Sequence, residues 1–91
     1  MILTVIIPVY NEENTVLQII EQVKKCGIEK LQLIIVDDFS QDGTRKQLET
    51  LEKSDDLLIL YHEKNKGKGA AIRTAQSKIK GDAVVIQDAD L

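Results

Sequence analysis

The sequence predicts an α/β fold in which helices cover both faces of a parallel β-sheet. Short apolar runs alternate along the chain with segments whose apolar residues recur at helical spacing, in the order β-α-β-α-β-α-β. The first of these runs is continuous, as is typical of a parallel strand buried on both faces. This alternation predicts a doubly wound parallel sheet with right-handed crossovers.

The first strand and the first helix have clear patterns. Residues 3–8 form a continuous β-rich run, and residues 13–25 show helical periodicity. One face of this helix is apolar and consists of Val16, Ile19, Ile20 and Val23. Gly27 then stands where a glycine commonly follows a helix. We therefore expect a strand, a short loop and a helix that packs on the sheet.

The second strand and the second helix follow after a short connection. The strand covers residues 31–36, and the helix covers residues 43–53. Three side chains of this helix recur at helical spacing, namely Thr44, Leu48 and Leu51. Asp42 or Ser40 is the candidate N-cap, because a short side-chain oxygen can accept a hydrogen bond from the first free N–H groups of a helix.

The remaining elements are a strand, a helix rich in small residues and a final strand. The strands cover residues 57–61 and 83–87, and the helix covers residues 68–79. The side chains of this helix that we expect to face inward are Ala71, Ile72, Ala75 and Ile79. In total, about four strands and three helices are predicted.

We expect the strand order 3-2-1-4, in which the order reverses between the first and fourth strands. Two helices then cover one face of the sheet, and only the third helix covers the other. An incompletely covered face predicts a continuation of the chain, a homodimer formed through the exposed sheet face or edge, or an edge prone to aggregation.

Composition limits the class of protein. The 91 residues are 43% hydrophobic and 30% charged, which is typical of one small globular domain or a piece of a larger one. A net charge of −3 argues against a nucleic-acid partner, since such proteins usually carry a basic face. The single cysteine, Cys26, fits a reducing compartment. No apolar run approaches the ~20 residues of a membrane helix, so we expect a cytoplasmic chain without its own anchor.

The most informative residues are Asp88 and Asp90, which directly follow the last apolar run. In a parallel sheet they would project from the carboxyl end of a strand, the edge where open α/β folds bind ligands. Mg²⁺ typically takes one or two carboxylates together with phosphate oxygens of its substrate. The Asp-x-Asp pair therefore predicts a divalent metal at this edge.

The loop after the first strand contains Pro8, Tyr10 and Glu12 but no glycine. The fingerprint of dinucleotide-binding proteins is therefore absent. A tyrosine ring beside carboxylates suits a nucleotide base or ribose, which needs a stacking surface and hydrogen-bond acceptors. An ordinary turn is the alternative, in which Pro8 ends the strand and Asn11 caps the helix.

The loop after the second strand begins with two adjacent carboxylates, Asp37 and Asp38. Adjacent carboxylates repel, so their placement is costly unless a cation or a ligand rich in donors balances them. Because successive side chains of an extended chain point to opposite sides, one should face the cleft and the other the sheet. The following residues 42–44 are most simply a turn and a helix cap.

The loop after the third strand is basic and rich in glycine, with Lys64, Lys66 and Lys68 just before a helix. A helix N-terminus with such a loop favours an anion, although the spacing is not that of a P-loop. A solvated basic loop is the alternative. Arg73, one turn into the helix, could reach a diphosphate or lie on the surface. His62 is expected at the surface or at a cap and not as a ligand.

Together, these loops resemble the motifs of family 2 glycosyltransferases with the GT-A fold, and most nearly those of the dolichyl- or polyprenyl-phosphate mannose and glucose synthases. The matching motifs are residues 5–13, 35–44, 65–69 and 88–90. The resemblance implies that residues 1–91 are the Rossmann-like, nucleotide-sugar-binding half of a GT-A domain, truncated just after Asp-x-Asp.

The resemblance also implies an activity and its cofactor. A hexose would pass with inversion from a UDP- or GDP-sugar to an acceptor, with Mg²⁺ or Mn²⁺ assisting the departure of the diphosphate. A lipid phosphate acceptor of the polyprenyl type is suggested by the subgroup. The full-length protein would then lie in the cytoplasm, peripheral to the cytoplasmic face of the membrane.

Residue roles are carried over from the same resemblance. The implied nucleotide-binding residues are Pro8, Tyr10, Glu12, Asp37, Asp38, Lys68, Gly69, Arg73 and Asp88. Among them, the base and ribose site comprises Pro8, Tyr10, Glu12 and Asp38. Lys68, Gly69 and Arg73 lie toward the diphosphate. Asp88 and Asp90 hold the sugar, the ribose and the metal ion. No general base can be named in this chain.

Other classes of protein fit the sequence less well. A phosphoacceptor receiver domain needs an acid pair after the first strand, where Pro8 stands, and an aspartate after the third, where Tyr61 and His62 stand. A sugar nucleotidyltransferase needs a glycine-rich first loop. Two alternatives remain open: a half-domain that binds nucleotide and metal without transferring sugar, and a structural α/β unit without a ligand.

Overall fold

Four parallel strands form one sheet in the order β3-β2-β1-β4, and three helices connect them. A computed structural model describes residues 2–90. The elements along the chain are β1 (Leu3–Val9), α1 (Val16–Lys24), β2 (Leu31–Asp37), α2 (Thr44–Glu49), β3 (Leu57–Tyr61), α3 (Lys68–Gln76) and β4 (Ala83–Ile86). The predicted fold class, order of elements and order of strands are confirmed.

The helix boundaries are where the observed and predicted elements differ most. α1 begins at Val16, later than predicted, and the N–H of Thr15 bonds to the carbonyl three residues back, at Glu12, in a tighter turn that leads into the helix. α2 ends at Glu49, because the N–H of Thr50 bonds to a carbonyl three residues back and tightens the last turn. No helix among residues 2–90 has the length and apolar character needed to cross a membrane.

The two faces of the sheet have separate hydrophobic cores. On one face, α1 and α2 pack against alternate residues of the central strands, and the main members are Val5, Ile7, Val9, Val16, Ile19, Ile20, Leu33, Ile35 and Leu48. On the other face, α3 packs against Ile6, Ile34 and Val36 through Ala71 and Ala75. Two helices thus cover one face and one helix covers the other, as the strand order predicts.

β4 is the least covered strand. Val84, Val85 and Ile86 are 44%, 47% and 39% exposed. Val85 pairs with Val5 on the face of α1, whereas Val84 pairs with Thr4 on the face of α3. Apolar side chains of β4 are therefore open on both faces, and the predicted incomplete cover is found at this strand.

A buried polar cluster fixes β4 at the amino-terminal end of the sheet. The hydroxyl of Thr4 donates to Gln32 Oε1 at 2.6 Å, and Gln32 Nε2 donates to the carbonyl of Lys78 at 2.8 Å. The N–H of Lys80 donates to Gln32 Oε1 at 2.8 Å, and the N–H of Gly81 donates to Thr4 Oγ1 at 2.9 Å. This cluster holds the turn before β4 against β1 and β2.

Candidate functional site

A cleft with a volume of about 430 Å³ lies at the carboxyl ends of β1, β2 and β4. This is where the strand order reverses, the usual position of ligand sites in open α/β sheets. The residues that line it are Pro8, Val9, Tyr10, Glu12, Asp38, Lys68, Ala71, Asp88, Ala89 and Asp90. Of the predicted site residues, only Asp37, Gly69 and Arg73 are outside this lining.

The first two loops are joined to each other beside the cleft. The N–H of Asn11 donates to Ser40 Oγ, and the N–H of Gln41 donates to Asn11 Oδ1, both at 2.8 Å. Asn11 and Phe39 have positive φ angles of 50° and 65°, which are uncommon outside glycine. The predictions that Asn11 and Ser40 cap helices are wrong, because both side chains connect loops instead.

Asp42 is bonded to the beginning of α2, as one of the two N-cap predictions proposed. Its Oδ1 accepts hydrogen bonds from the N–H and the hydroxyl of Thr44, at 2.9 Å and 2.5 Å. The N-cap position itself is occupied by Gly43. Burial raises the pKa of Asp42, but the hydrogen bonds from Thr44 and from the backbone of Glu13 outweigh it, so the pKa is lowered.

Asp37 points away from the cleft and into an internal ion pair. Its carboxylate is fully buried, and Oδ2 accepts a hydrogen bond from Arg45 Nε at 2.6 Å. The guanidinium of Arg45 lies between the rings of Phe39 and Tyr61, 5.5 Å and 5.2 Å from their centroids. It also donates to the carbonyl of His62 at 2.5 Å. The alternation of an extended chain thus separates Asp37 from Asp38, which faces the cleft.

Asp38 lies at the inner wall of the cleft and accepts three hydrogen bonds. His62 Nδ1 and the N–H of Lys66 lie 2.8 Å from Oδ1, and the N–H of Gly67 lies 2.8 Å from Oδ2. Burial raises the pKa of Asp38, but the hydrogen bonds from His62, Lys66 and Gly67 outweigh it and hold the pKa below its ordinary value. The anion at the N-terminus of α3 is therefore Asp38 itself.

His62 is buried, so the expectation of a surface position is wrong. It is 6% exposed, and its Nε2 lies 2.8 Å from the hydroxyl of Thr74 while Nδ1 contacts Asp38. Both partners are distant in the sequence, which gave no signal of either contact. A histidine with two polar partners can be buried without leaving a donor or acceptor unpaired.

Two cationic side chains of α3, those of Lys68 and Arg73, lie near its first turn. Lys68 Nζ is 2.5 Å from Asp88 Oδ1, and both side chains are more than half exposed. Arg73 is exposed, and its Nη1 would lie 3.4 Å from a Cβ placed on Gly69. The guanidinium therefore reaches back over the first turn of the helix. Exposed ion pairs contribute little stability, so Lys68 can leave Asp88 at little cost.

The Asp-x-Asp segment is anchored through its central residue. The hydroxyl of Thr15 donates to the carbonyl of Ala89 at 2.6 Å, and Ala89 is buried. Asp88 and Asp90 are exposed and both line the cleft. No cluster of three or more histidine, cysteine or acidic residues suited to a metal occurs within residues 2–90. Two carboxylates beside open space fit Mg²⁺ or Mn²⁺ when a substrate's phosphates supply further oxygens.

Comparison with known proteins identifies the family. The family profile described as Glycosyl transferase family 2 matches residues 4–91. The chain belongs to glycosyl transferase family 2. The resemblance inferred from the four motifs is therefore confirmed, and the sheet order agrees with the GT-A fold of the solved relatives described next.

Relatives of this family 2 chain include proteins of known sequence and structure. It is 37% identical, over 97% of its length and 28% of the relative's, to the undecaprenyl-phosphate 4-deoxy-4-formamido-L-arabinose transferase of Proteus mirabilis. It superposes on S. aureus TarS 1-349 with a TM-score of 0.87 and 27% identity, covering 99% of this chain and 28% of that one. It also superposes on the mannosyltransferase PcManGT of Pyrobaculum calidifontis in complex with GDP-Man and Mn²⁺. The TM-score is 0.78 and the identity 32%, covering 97% of this chain and 27% of that one.

The chain spans only part of these proteins. It covers between 28% and 36% of the length of curated relatives from Proteus mirabilis and Bacillus subtilis. Its similarity therefore concerns the part of a family 2 glycosyltransferase that contains the strands β1 to β4 and the cleft.

Several residues that organise the site were not singled out from the sequence. Arg45, Thr74 and Thr15 hold, respectively, Asp37, the ring of His62 and the carbonyl of Ala89. Each contact joins residues from different parts of the fold, and no sequence pattern marks these arginine and threonine side chains. Only the prediction that one of the two carboxylates, Asp37 or Asp38, faces the sheet hinted that a cation was needed nearby.

Proposed function

We propose that residues 1–91 are the nucleotide-sugar-binding part of a glycosyltransferase that transfers a hexose from a UDP- or GDP-sugar. One observation carries this proposal: a single cleft is lined by an aromatic ring, a buried carboxylate, a lysine and the two exposed carboxylates of the Asp-x-Asp pair. These are Tyr10, Asp38, Lys68, Asp88 and Asp90. A nucleoside diphosphate presents the complementary groups, namely a flat base, N–H and O–H donors, and a charged diphosphate.

The base and ribose fit the inner part of the cleft. A carboxylate has about four acceptor positions, and Asp38 uses three of them for His62, Lys66 and Gly67. The remaining position on Oδ2 can accept an N–H of uracil or guanine. Tyr10 is 45% exposed and offers a ring for stacking.

The rest of the first two loops supports this assignment. Glu12 and Pro8 line the same wall as Tyr10, and the Glu12 carboxylate can accept hydrogen bonds from ribose hydroxyls. Asp37, which the resemblance placed at the nucleotide, supports the loop that carries Asp38 through its ion pair with Arg45.

The diphosphate would be bound mainly by side-chain cations. The N–H groups of Lys66 and Gly67 donate to Asp38, so they do not form a phosphate cradle. Lys68 lines the cleft, and Arg73 reaches over Gly69 at the start of the helix. A guanidinium fork suits two phosphate oxygens, and the helix N-terminus adds a favourable field.

Asp88 and Asp90 would hold Mg²⁺ or Mn²⁺. When bound, such an ion neutralises negative charge that develops on a departing nucleoside diphosphate. The complex of PcManGT with GDP-Man and Mn²⁺ supports this choice of metal. Thr15 holds the backbone between the two carboxylates through Ala89, which restricts where both side chains can point.

The proposed acceptor is a polyprenyl phosphate. The similar Proteus mirabilis protein is named as an undecaprenyl-phosphate 4-deoxy-4-formamido-L-arabinose transferase, which supports this acceptor. A location at the cytoplasmic face of the membrane stays a prediction. Inversion at the sugar follows from the motif resemblance, and no catalytic base is assigned. Pairing of two copies through β4 also stays a prediction, which analytical ultracentrifugation would test.

Calorimetric titration with UDP and with GDP, each with and without Mn²⁺, tests the proposal. We expect saturable binding that is strengthened by the metal and prefers one nucleotide. Absence of binding to a folded chain, shown by circular dichroism, would contradict a donor site in these residues. Binding without transfer of sugar to polyprenyl phosphate would instead support the alternative of a half-domain that only binds nucleotide and metal.

A further inference from the structure

His62 lies behind the cleft wall, where it is not among the residues that a ligand would contact. We propose that His62 is a positioning residue for nucleotide binding: its ring orients the carboxylate of Asp38 and ties it to α3 through Thr74. This inference rests on the proposed nucleotide site. It adds to that site a buried residue that controls binding without touching the nucleotide.

The contacts of Asp38 show what the imidazole contributes. Oδ1 accepts from His62 Nδ1 and from the N–H of Lys66, whereas Oδ2 accepts from the N–H of Gly67. All three donors lie in the connection between β3 and α3, with the ring at its beginning and the two amides at its end. Among residues 2–90, His62 supplies the only side-chain donor to the carboxylate of Asp38.

The protonation of the ring follows from its partners. The hydrogen bonds to Asp38 hold the pKa of its carboxyl low against the effect of burial, so the carboxylate is ionised and can only accept. His62 Nδ1 must then carry a hydrogen. In the neutral ring, Nε2 accepts the hydroxyl hydrogen of Thr74 at 2.8 Å. Both contacts can thus form at once without a charge on the ring.

This arrangement couples two parts of the proposed site. Thr74 lies on α3, the helix that begins at Lys68 and also carries Arg73. Asp38 lies at the end of β2 and faces the position proposed for the base. The ring of His62 spans the distance between them, so that the acceptor for the base and the cations for the diphosphate keep a fixed separation.

Two variants with amide side chains at position 62 test the two contacts of the ring one at a time. The side-chain N–H₂ of asparagine can occupy the place of Nδ1, and that of glutamine can occupy the place of Nε2. His62→Asn therefore preserves a donor to Asp38, whereas His62→Gln preserves only the contact with Thr74. We expect His62→Gln to weaken the binding of UDP or GDP about tenfold or more, because Asp38 loses the side-chain hydrogen bond to its charged carboxylate that orients it, and His62→Asn to rescue most of the affinity.

Calorimetric titration of the two variants, alongside Asp38→Asn, is the decisive experiment. Thermal unfolding of each variant shows whether stability changes in parallel. Weaker nucleotide binding by His62→Gln than by His62→Asn, with similar melting temperatures for the two variants, supports the proposal. Equal affinities for the two variants, or affinities that only follow their melting temperatures, would overturn it.

A second readout does not need the nucleotide. The carboxyl carbon resonance of Asp38, followed by NMR during an acid titration, should move to a higher midpoint in His62→Gln than in His62→Asn. Identical midpoints would overturn the positioning role whatever the nucleotide data show. The unmodified chain could fail to bind UDP and GDP while the two midpoints differ as expected. That result would overturn the proposed function but would establish the control of Asp38 by His62.

Discussion

Replacing Arg45 with methionine should destabilise the protein strongly, because it removes the cation that neutralises a buried carboxylate. Asp37 is fully buried, and its Oδ2 accepts from Arg45 Nε at 2.6 Å. The same oxygen accepts from the N–H of Ser40 at 3.1 Å, and Oδ1 has no hydrogen-bond partner among the described residues. Without Arg45, one longer hydrogen bond would remain for a buried charge.

The size of the effect follows from the burial of both partners. Removing one member of a buried ion pair costs about 3–5 kcal/mol. The side chain of Arg45 is 32% exposed, so water screens part of the interaction, and we expect a loss of about 2–4 kcal/mol. For a domain of this size, each kcal/mol lowers Tm by about 4–8 °C, so Tm should fall by roughly 10–30 °C.

Urea unfolding followed by circular dichroism measures this loss, and two further variants identify its cause. Arg45→Lys keeps the charge but loses the bond to the His62 carbonyl and the planar contact with two rings, so its loss should be smaller. Asp37→Asn added to Arg45→Met should recover part of the stability, because no buried charge then remains. A loss below about 1 kcal/mol for Arg45→Met, or equal losses for Met and Lys, would refute the reasoning.

Three further predictions concern other parts of the structure. Folding lowers the pKa of Asp38 from its ordinary 3.8, so the stability that its ionised form contributes is fully present above about pH 4 and lost as the pH falls through the lowered value. Urea unfolding from about pH 5 to about pH 2 should show the gap between the protein and Asp38→Asn shrinking, and a constant gap would contradict this. Gly81→Ala should cost about 1–3 kcal/mol in the same assay, since its Cβ would lie 2.8 Å from two backbone atoms at the start of the sheet. Gly69→Ala, with 3.4 Å of clearance, is the control, and equal effects would refute the steric argument. Asp90→Asn should weaken nucleotide binding about tenfold with Mn²⁺ and much less without it; equal calorimetric affinities of variant and protein with Mn²⁺ would show the metal assignment to be wrong.

The order of the strands could be predicted because it depends on patterns within each element. Continuous apolar runs separated by helical segments lead to parallel strands, and the crossover rule leaves few arrangements. The different directions of Asp37 and Asp38 were likewise predictable, because alternation is a property of an extended backbone. The end of α2 was not, since a tightened last turn depends on backbone contacts that helix periodicity does not encode.

The interior of the site was harder to predict, because its contacts join residues that are far apart in the sequence. Nothing in the sequence distinguishes His62 from a surface histidine. Its two contacts arise only in the folded protein, where Asp38 and Thr74 each bond to one nitrogen of the ring. Lysines and glycines before α3 indicated a site for a ligand anion, whereas the loop amides at this position donate to the carboxylate of Asp38. The sequence could not show that the anion there is a carboxylate from the end of β2 and not a phosphate group of a ligand.

The adjacent carboxylates Asp37 and Asp38 show how this difference changes the argument for function. Their repulsion predicts a cation or a ligand rich in donors nearby, and groups of the protein itself fulfil this requirement. Arg45 neutralises Asp37, while His62 and two backbone amides stabilise Asp38. The pair is therefore stable without a nucleotide, and its presence alone does not indicate one. What supports the proposed nucleotide site is the cleft that Asp38 lines together with Tyr10 and the exposed acids of the Asp-x-Asp pair. A carboxylate oriented before the ligand arrives loses little entropy on binding, which is the advantage of a preorganised site.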